Sequence, residues 1–205
     1  MSRYGIDPDS NDIYYPDTSI PRNHLNIQDT KLLSDVENQI LISTIQHFLE
    51  TITFKTEFNY QLLTSIHVKL FEKLYPFAGV ERNKDIHKGE TTFCRTINLE
   101  SFSNDIFSQL KREKYLLNYS EEPKEVFADR LAYYMGEINM LHPFWEGNGR
   151  TLRLFIDLIA HLNGYKLINY PDNNYDFINS AKYAVFVDHS KFTSLILSGL
   201  SKHFK

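Results

Sequence analysis

The chain has 205 residues, of which 42% are apolar, and its formal net charge at pH 7 is −4. This length predicts one domain with a core of ordinary size, or at most two small domains. The slightly acidic composition excludes an overall basic surface for nucleic acid, and the single cysteine, Cys94, excludes an internal disulfide.

We expect a cytoplasmic protein with no direct membrane or nucleic-acid partner. The polar N-terminus lacks the apolar segment of a signal peptide. No apolar run reaches the roughly 18 residues that a membrane-spanning helix needs. A single cysteine is in keeping with a reducing compartment.

Residues 1–28 are predicted to form an irregular arm in front of a domain that comprises residues 29–205. Three of the seven prolines lie in this arm, among many turn-forming residues. Aromatic side chains of the arm are expected to lie on the body of the domain: Tyr4, Tyr14 and Tyr15.

The spacing of apolar residues predicts three helices in the first part of the domain. They cover residues 31–52, the stretch from Asn59 to just before Pro76, and residues 99–117. Asp29 or Thr30 is the expected cap of the first helix. Residues 77–98 lack a helical period, and glycines and β-prone residues there predict a short hairpin.

The second part of the domain is also predicted to be helical. One helix begins near Pro123 and ends before His142, because Pro143 disfavours helical angles at the residue before it. The helix at 148–162 is apolar on nearly all sides, which is typical of a central, buried helix. Residues 175–201 suggest two more helices, so the sequence predicts a mostly helical domain with a short β-hairpin.

The segment HPFWEGNGRTLR holds a predicted phosphate-binding site at the start of the buried helix. Three residues lie where that helix begins: Gly147, Asn148 and Gly149. The first N–H groups of a helix have no partner within it and attract anions, and glycine lets a ligand approach the backbone closely. Arg150 and Arg153 project from the first turns, and guanidinium groups bind phosphate oxygens in pairs. This combination predicts a bound di- or triphosphate.

Two residues of the same segment predict a reaction at that phosphate. Glu146 would repel a polyphosphate unless Mg²⁺ lay between them, and Mg²⁺ commonly takes one carboxylate together with phosphate oxygens. His142 has an imidazole that can accept a proton from a hydroxyl near pH 7. The segment therefore suggests attack of a hydroxyl on a phosphate.

Each of these residues also has an ordinary structural interpretation. A histidine before proline is more often structural than catalytic, Glu146 by itself would be a solvated loop charge, and the two arginines could be surface charges. The glycines could only shape a turn. The functional hypothesis depends on the combination of residues in the segment and not on any one of them.

The combination resembles the signature of the Fic family, HPF-x-[DE]-GNGR-x-x-R, at every specified position. Residues 66–86, which include Arg82, are similar to the second helix and following turn of that family. Residues 14–33 resemble the opening of Fic toxins that work with a separate antitoxin. The resemblance covers most of the chain and implies a single helical Fic domain.

The resemblance implies a protein adenylyltransferase, which moves AMP from ATP to a Ser, Thr or Tyr hydroxyl of a target protein and releases pyrophosphate. His142 would be the general base, and Glu146 would hold Mg²⁺ between the α- and β-phosphates. Asn148 would steer the α-phosphate within the anion hole formed with its two flanking glycines. Arg150 would hold the β-phosphate and Arg153 the γ-phosphate.

Structural roles are implied for other residues. Phe144 would be an anchor in the core, and His67 has a structural role. The hairpin at about 85–97 would be a flap that aligns a target segment by strand-like pairing. Phe93 is the candidate for a flap side chain that clamps the target, and Tyr183 is the candidate for contacting the base.

The sequence departs from the family pattern in its regulation. Many Fic proteins are silenced by a glutamate in the motif [ST]-x-x-x-E-[GN], which pairs with the second arginine of the signature. Glu37-Asn38 has Leu33 where Ser or Thr is required, so the motif is not intact. A small antitoxin that supplies the glutamate in trans, directed at Arg153, is the natural hypothesis.

Alternatives remain open at this point. A Fic-fold transferase can use another donor, which would transfer UMP, phosphocholine or phosphate instead of AMP. A catalytically silent nucleotide-binding or interaction module is the second alternative. The sequence contains no GxxxxGK[ST], HExxH or paired CxxC motif, so P-loop and zinc-enzyme interpretations are disfavoured.

Overall fold

A computed structural model describes residues 13–88, 91–170 and 188–203. Tyr4 and Tyr183 lie outside the described residues. The described helices are α1 (Thr30–Thr51), α2 (Tyr60–Phe71), α3 (Leu99–Arg112), α4 (Lys124–Leu141), α5 (Asn148–Leu162) and α6 (Ser190–Gly199). The strands β1 (His87–Lys88) and β2 (Thr91–Thr92) form an antiparallel pair. The prediction of a mostly helical fold with a short hairpin is confirmed.

Side-chain caps fix the beginnings of the first two helices. A carboxylate oxygen of Asp29 accepts a hydrogen bond from the N–H of Leu32 at 2.7 Å, and the Asn59 side chain accepts one from Leu62 at 2.9 Å. Each bond satisfies an amide that has no partner within its helix. Both helix starts therefore follow from local sequence.

The third helix is shorter than predicted. α3 ends at Arg112 instead of continuing to residue 117, and a short 3₁₀ turn follows at Lys114–Leu116. Lys114, Tyr115 and Leu116 all have φ between +53° and +57°, which is incompatible with a continuing right-handed helix. The side chain of Leu116 is buried by this turn, and its apolar character had suggested a longer helix.

α5 is the central helix of the molecule, as its sequence predicted. Ten of its 15 residues are buried, and it packs against α1, α2 and α4. The ring of Phe155 on this helix meets Phe58 and Phe107 edge-on, at centroid distances of 5.5 and 6.0 Å. Burial on several sides fixes the position of the helix start, where the phosphate site is predicted.

The arm is a small folded unit in its described part. Tyr14 forms an isolated antiparallel bridge with Pro21, and the N–H of Arg22 donates to the carbonyl of Ile13 at 2.7 Å. The side chains of Tyr14 and Tyr15 are buried. A hydrogen bond of 2.8 Å from the N–H of His24 to the carbonyl of Leu74 joins the arm to the turn after α2.

The described helices do not include a candidate membrane span. Across residues 13–88, 91–170 and 188–203, no helix is both long enough and apolar enough to cross a bilayer.

Candidate active site

The loop at 142–147 joins α4 to α5 and has a residue in the left-handed conformation at each end. His142 ends α4 in the left-handed region at φ 42°, and Gly147 precedes α5 at φ 82°. The helix was predicted to end before His142 because proline follows it, and α4 does end at Leu141. The left-handed conformation of His142 lets the chain turn back at once, with its N–H still bonded to the carbonyl of Ile138.

The side chain of Asn148 closes this loop on itself. Its Oδ1 accepts from the N–H of Phe144 at 3.0 Å, and its Nδ2 donates to the carbonyl of the same residue at 2.7 Å. The resemblance implies that Asn148 steers a phosphate. The two hydrogen bonds to Phe144 fix the side-chain amide of Asn148 at the start of α5.

Phe144 and His67 anchor the loop in the core. Phe144 is buried and stacks on the His67 ring at a centroid distance of 3.8 Å. The N–H of Gly79 donates to His67 Nδ1 at 2.8 Å, so the ring proton resides on Nε2, which donates to the carbonyl of Glu146 at 2.9 Å. Burial lowers the pKa of His67 to about 4. His67 is therefore a neutral clamp beneath the loop.

The His142 imidazole is held in one tautomer. Its Nδ1 lies 3.0 Å from the carbonyl oxygen of Asn139, which can only accept, so Nδ1 carries the proton and Nε2 presents a lone pair. Burial lowers the pKa of His142 to about 3. The ring is neutral at physiological pH, as proton acceptance requires.

Phe93, the candidate for clamping a target, lies against the His142 ring. Its side chain is 6% exposed, and the two ring centroids are 3.7 Å apart. The ring is buried with Ile86 and Trp145, where its apolar surface is removed from water. Phe93 thus covers one face of the imidazole.

Arg82 joins the flap to the loop. Its Nε donates to the carbonyl of His142 at 2.8 Å and its Nη1 to the carbonyl of Lys84 at 2.9 Å, while Nη2 donates to the carbonyl of Cys94. The residue is 2% exposed. One buried guanidinium therefore connects the catalytic loop to both ends of the hairpin.

Glu146 is the candidate metal carboxylate. It is 6% exposed, and its Oε1 accepts a hydrogen bond of 2.6 Å from the Tyr14 hydroxyl of the arm. In the described part of the chain no three His, Cys, Asp or Glu residues cluster to make a metal site of protein ligands alone. One carboxylate fits Mg²⁺ that is held jointly with nucleotide phosphates.

Arg150 is held by two partners that the sequence did not reveal. Its Nη1 lies 2.9 Å from Oε1 of Glu37 on α1, and its guanidinium lies over the Phe71 ring at 4.7 Å. The same oxygen of Glu37 accepts from the Tyr75 hydroxyl at 2.7 Å. Glu37 was considered only as part of an incomplete inhibitory motif, and no local signal places α1 beside α5.

Arg153 lies one turn further along α5. Its Nε donates to the carbonyl of Gly149 at 3.3 Å, and its guanidinium lies 5.8 Å from the centroid of the Tyr170 ring. Burial lowers its pKa, although the guanidinium remains charged. Asp157, nearby on the same helix, has its pKa raised to about 7 by burial. Both arginines that were predicted to bind phosphate lie in the first turns of α5, directly after the loop.

The helix start supplies backbone donors beside these arginines. The N–H groups of Arg150 and Thr151 bond back to the carbonyl of Gly147, each at 3.1 Å. The preceding amides of Asn148 and Gly149 have no acceptor further back within the helix. The loop thus supplies an imidazole and a carboxylate, and the first turns of α5 supply backbone amides and two arginines.

The chain is similar in sequence to a known protein family and to individual members of it. Residues 57–160 match the model of the Fic/DOC family. The chain is 39% identical over 160 residues to the protein adenylyltransferase VbhT of Bartonella schoenbuchensis, covering 77% of this chain and 32% of VbhT. It therefore spans about a third of that relative's length.

Two further proteins agree with this match. The chain is 32% identical over 167 residues to the probable protein adenylyltransferase y4lH of Sinorhizobium fredii, covering 82% of this chain and 83% of y4lH. The crystal structure of BepC from Bartonella tribocorum with bound AMPPNP superposes with a TM-score of 0.79 at 18% identity, covering 95% and 98% of the two chains. This protein belongs to the Fic/DOC family.

Proposed function

We propose that this protein is a protein adenylyltransferase, which transfers AMP from ATP to a hydroxyl side chain of a target protein. The observation that carries the proposal is the tautomer of His142. Its unprotonated Nε2 lies in the short loop that leads directly into α5, whose first turns hold the helix N-terminus and two arginines. The similarity to the protein adenylyltransferase VbhT and to the probable protein adenylyltransferase y4lH supports it.

The transfer is a substitution at the α-phosphorus of ATP. The target oxygen forms a bond to that phosphorus while the bond to the oxygen that bridges the α- and β-phosphates breaks. The hydroxyl proton passes to Nε2 of His142, and pyrophosphate leaves with the electron pair of the broken bond. Nδ1–H remains bonded to Asn139, which stabilises the imidazolium that forms.

The remaining residues bind and orient the nucleotide. The amides of Asn148 and Gly149 would meet the phosphates at the positive end of the α5 dipole. Arg150 and Arg153 would hold the β- and γ-phosphates, one turn apart on the same helix. Such fixed donors stabilise the charge that develops on phosphate oxygens and cost no reorganisation during the reaction.

Glu146 would hold Mg²⁺, for which its buried carboxylate is suited. The ion would neutralise charge on the phosphates as pyrophosphate leaves. Since the site offers one carboxylate, we expect Mg²⁺ to bind together with the nucleotide and not before it.

The flap would bind the target, and a separate antitoxin would regulate the activity. The edge of the flap at about 85–97, which contains β1 and β2, would pair with an extended segment of the target. Arg153 would be the residue that a separate antitoxin engages with its glutamate, since the chain has no intact [ST]-x-x-x-E-[GN] motif. The cytoplasm, where ATP is available, is the proposed location.

Incubation with α-labelled ATP, Mg²⁺ and bacterial lysate tests the proposal directly. Label is expected on protein with the parent chain. It should fall by roughly 10²–10⁴-fold with His142→Ala, because the general base is removed. Arg153→Ala should weaken nucleotide use without abolishing the chemistry.

Parallel reactions with other donors distinguish AMP transfer from the other group transfers that the Fic fold can support. γ-labelled ATP reports phosphate transfer, and labelled UTP and CDP-choline report the other donors. Transfer from one of these with none from α-labelled ATP would contradict adenylylation, and silence with every donor would favour a nucleotide-binding module.

A further inference from the structure

The N-terminal arm contributes a side chain to the catalytic loop. The Tyr14 hydroxyl donates to Oε1 of Glu146 at 2.6 Å across 132 positions of the chain. Both side chains are nearly buried, with 7% of Tyr14 and 6% of Glu146 exposed. A contact between two buried groups is less screened by water than a surface contact.

The backbone of the arm determines where this hydroxyl lies. Tyr14 pairs with Pro21, and the N–H of Tyr15 donates to the carbonyl of Ile20 at 3.0 Å. The hydroxyl of Thr18 closes the intervening turn through the carbonyl of Tyr15 at 2.9 Å. Tyr14 is therefore held in a folded hairpin and not on a loose tail.

The contact comes from outside the segment that defines the family. The family match begins at residue 57, whereas the arm hairpin comprises residues 13–22. The signature residues therefore do not include the donor to the candidate metal carboxylate.

We propose that Tyr14 is a positioning residue for Glu146, and that the arm thereby sets the affinity of the site for Mg²⁺ in its complex with ATP. The inference rests on the proposed function. A phenol that donates to a carboxylate oxygen restricts the rotamer of the carboxylate, and outer partners of this kind orient carboxylates that bind metal ions. It also offsets part of the cost of burying the carboxylate charge.

Binding of the α,β-methylene analogue of ATP, measured by calorimetry, tests this role without relying on turnover. Affinity is measured for the full chain in Mg²⁺ and in EDTA. Tyr14→Phe keeps the buried ring and removes only the hydroxyl. The gain in affinity that Mg²⁺ gives the parent should fall about tenfold in this variant, the scale of losing an outer contact to a metal ligand.

Neighbouring variants provide the controls. Tyr15→Phe removes the hydroxyl of the adjacent buried tyrosine, which lies 3.5 Å from Asn26 Oδ1, and should behave as the parent. Glu146→Gln should lose the Mg²⁺ gain altogether. Tyr14→Phe should match the parent in EDTA, which shows that the nucleotide site is intact.

The outcomes separate the inference from the proposed function. An unchanged Mg²⁺ gain in Tyr14→Phe, or an equal loss of affinity in EDTA and in Mg²⁺, would overturn the positioning role alone. A parent chain that does not bind the analogue would overturn the proposed function, and this inference with it.

Discussion

At the scale of single residues, burial determines the chemistry of His142. The imidazole is enclosed by Phe93 and by the loop, and its Nδ1 proton is committed to Asn139. Burial disfavours a positive charge on the ring more strongly than the hydrogen bond to Asn139 favours it, so the pKa of His142 is lowered. The proposed base is kept neutral by its surroundings and is oriented by a backbone carbonyl.

The pH dependence of transfer follows from this burial. The pKa of His142 is lowered from 6.5 to about 3, so acidification from about pH 8 to about pH 6 leaves the imidazole unprotonated. The kcat/KM of the parent chain should therefore show no acid limb near 6.5. A limb with its midpoint there, in a target whose own groups do not titrate, would show that His142 is solvated in the free enzyme.

At the scale of elements, a glycine in the left-handed region flanks each end of α5. Gly147 and Gly164 have the same φ of 82°. They differ in surroundings: an added Cβ at Gly147 would lie 2.3 Å from Cε2 of Phe71, and at Gly164 it would meet nothing within 4 Å. Gly147 is thus packed against a side chain of α2, whereas an added Cβ at Gly164 would point into open space.

Alanine at these two glycines should have unequal effects. Gly164→Ala is expected to lower the free energy of unfolding by about 1 kcal/mol, the cost of the left-handed conformation. Gly147→Ala adds the clash with Phe71, so it should lower the free energy of unfolding by about 3 kcal/mol or more. It should also weaken nucleotide binding. Urea unfolding of both variants measures the difference, and equal losses would contradict the packing argument.

At the scale of the whole molecule, the site depends on connections between parts that are distant in sequence. Glu37 of α1 meets Arg150 of α5, and Tyr14 of the arm meets Glu146. Arg82 joins the flap to the catalytic loop through carbonyl groups on both sides. The loop is therefore held from several directions at once.

Replacement of Arg82 by lysine tests the most central of these connections. A compact ammonium cannot reproduce the guanidinium fork, so buried carbonyl groups lose their donors. The free energy of unfolding should therefore fall by about 3 kcal/mol. Arg95→Lys is the matched control. Arg95 is exposed and meets Asp85 at 3.4 Å, so its change should stay within about 0.5 kcal/mol. Similar losses in both variants would contradict a central role for Arg82.

The local sequence was sufficient for most elements. The caps Asp29 and Asn59, the apolar period and the interruption at His142-Pro143 predicted the main helices to within a few residues. The prediction failed for the end of α3, because the left-handed turn at Lys114–Leu116 is imposed by burial and has no glycine to signal it.

The sequence by itself determined which chemical groups occupy the loop between α4 and α5, because its charged, glycine and histidine residues are contiguous in the chain. Only the tertiary structure decided their partners. Tyr14, Glu37 and Arg82 reach the loop through helix packing and buried backbone contacts, which depend on the whole core and leave no periodic signal in the chain. For the same reason Phe93 was identified as a flap residue, whereas its position on the His142 ring was not.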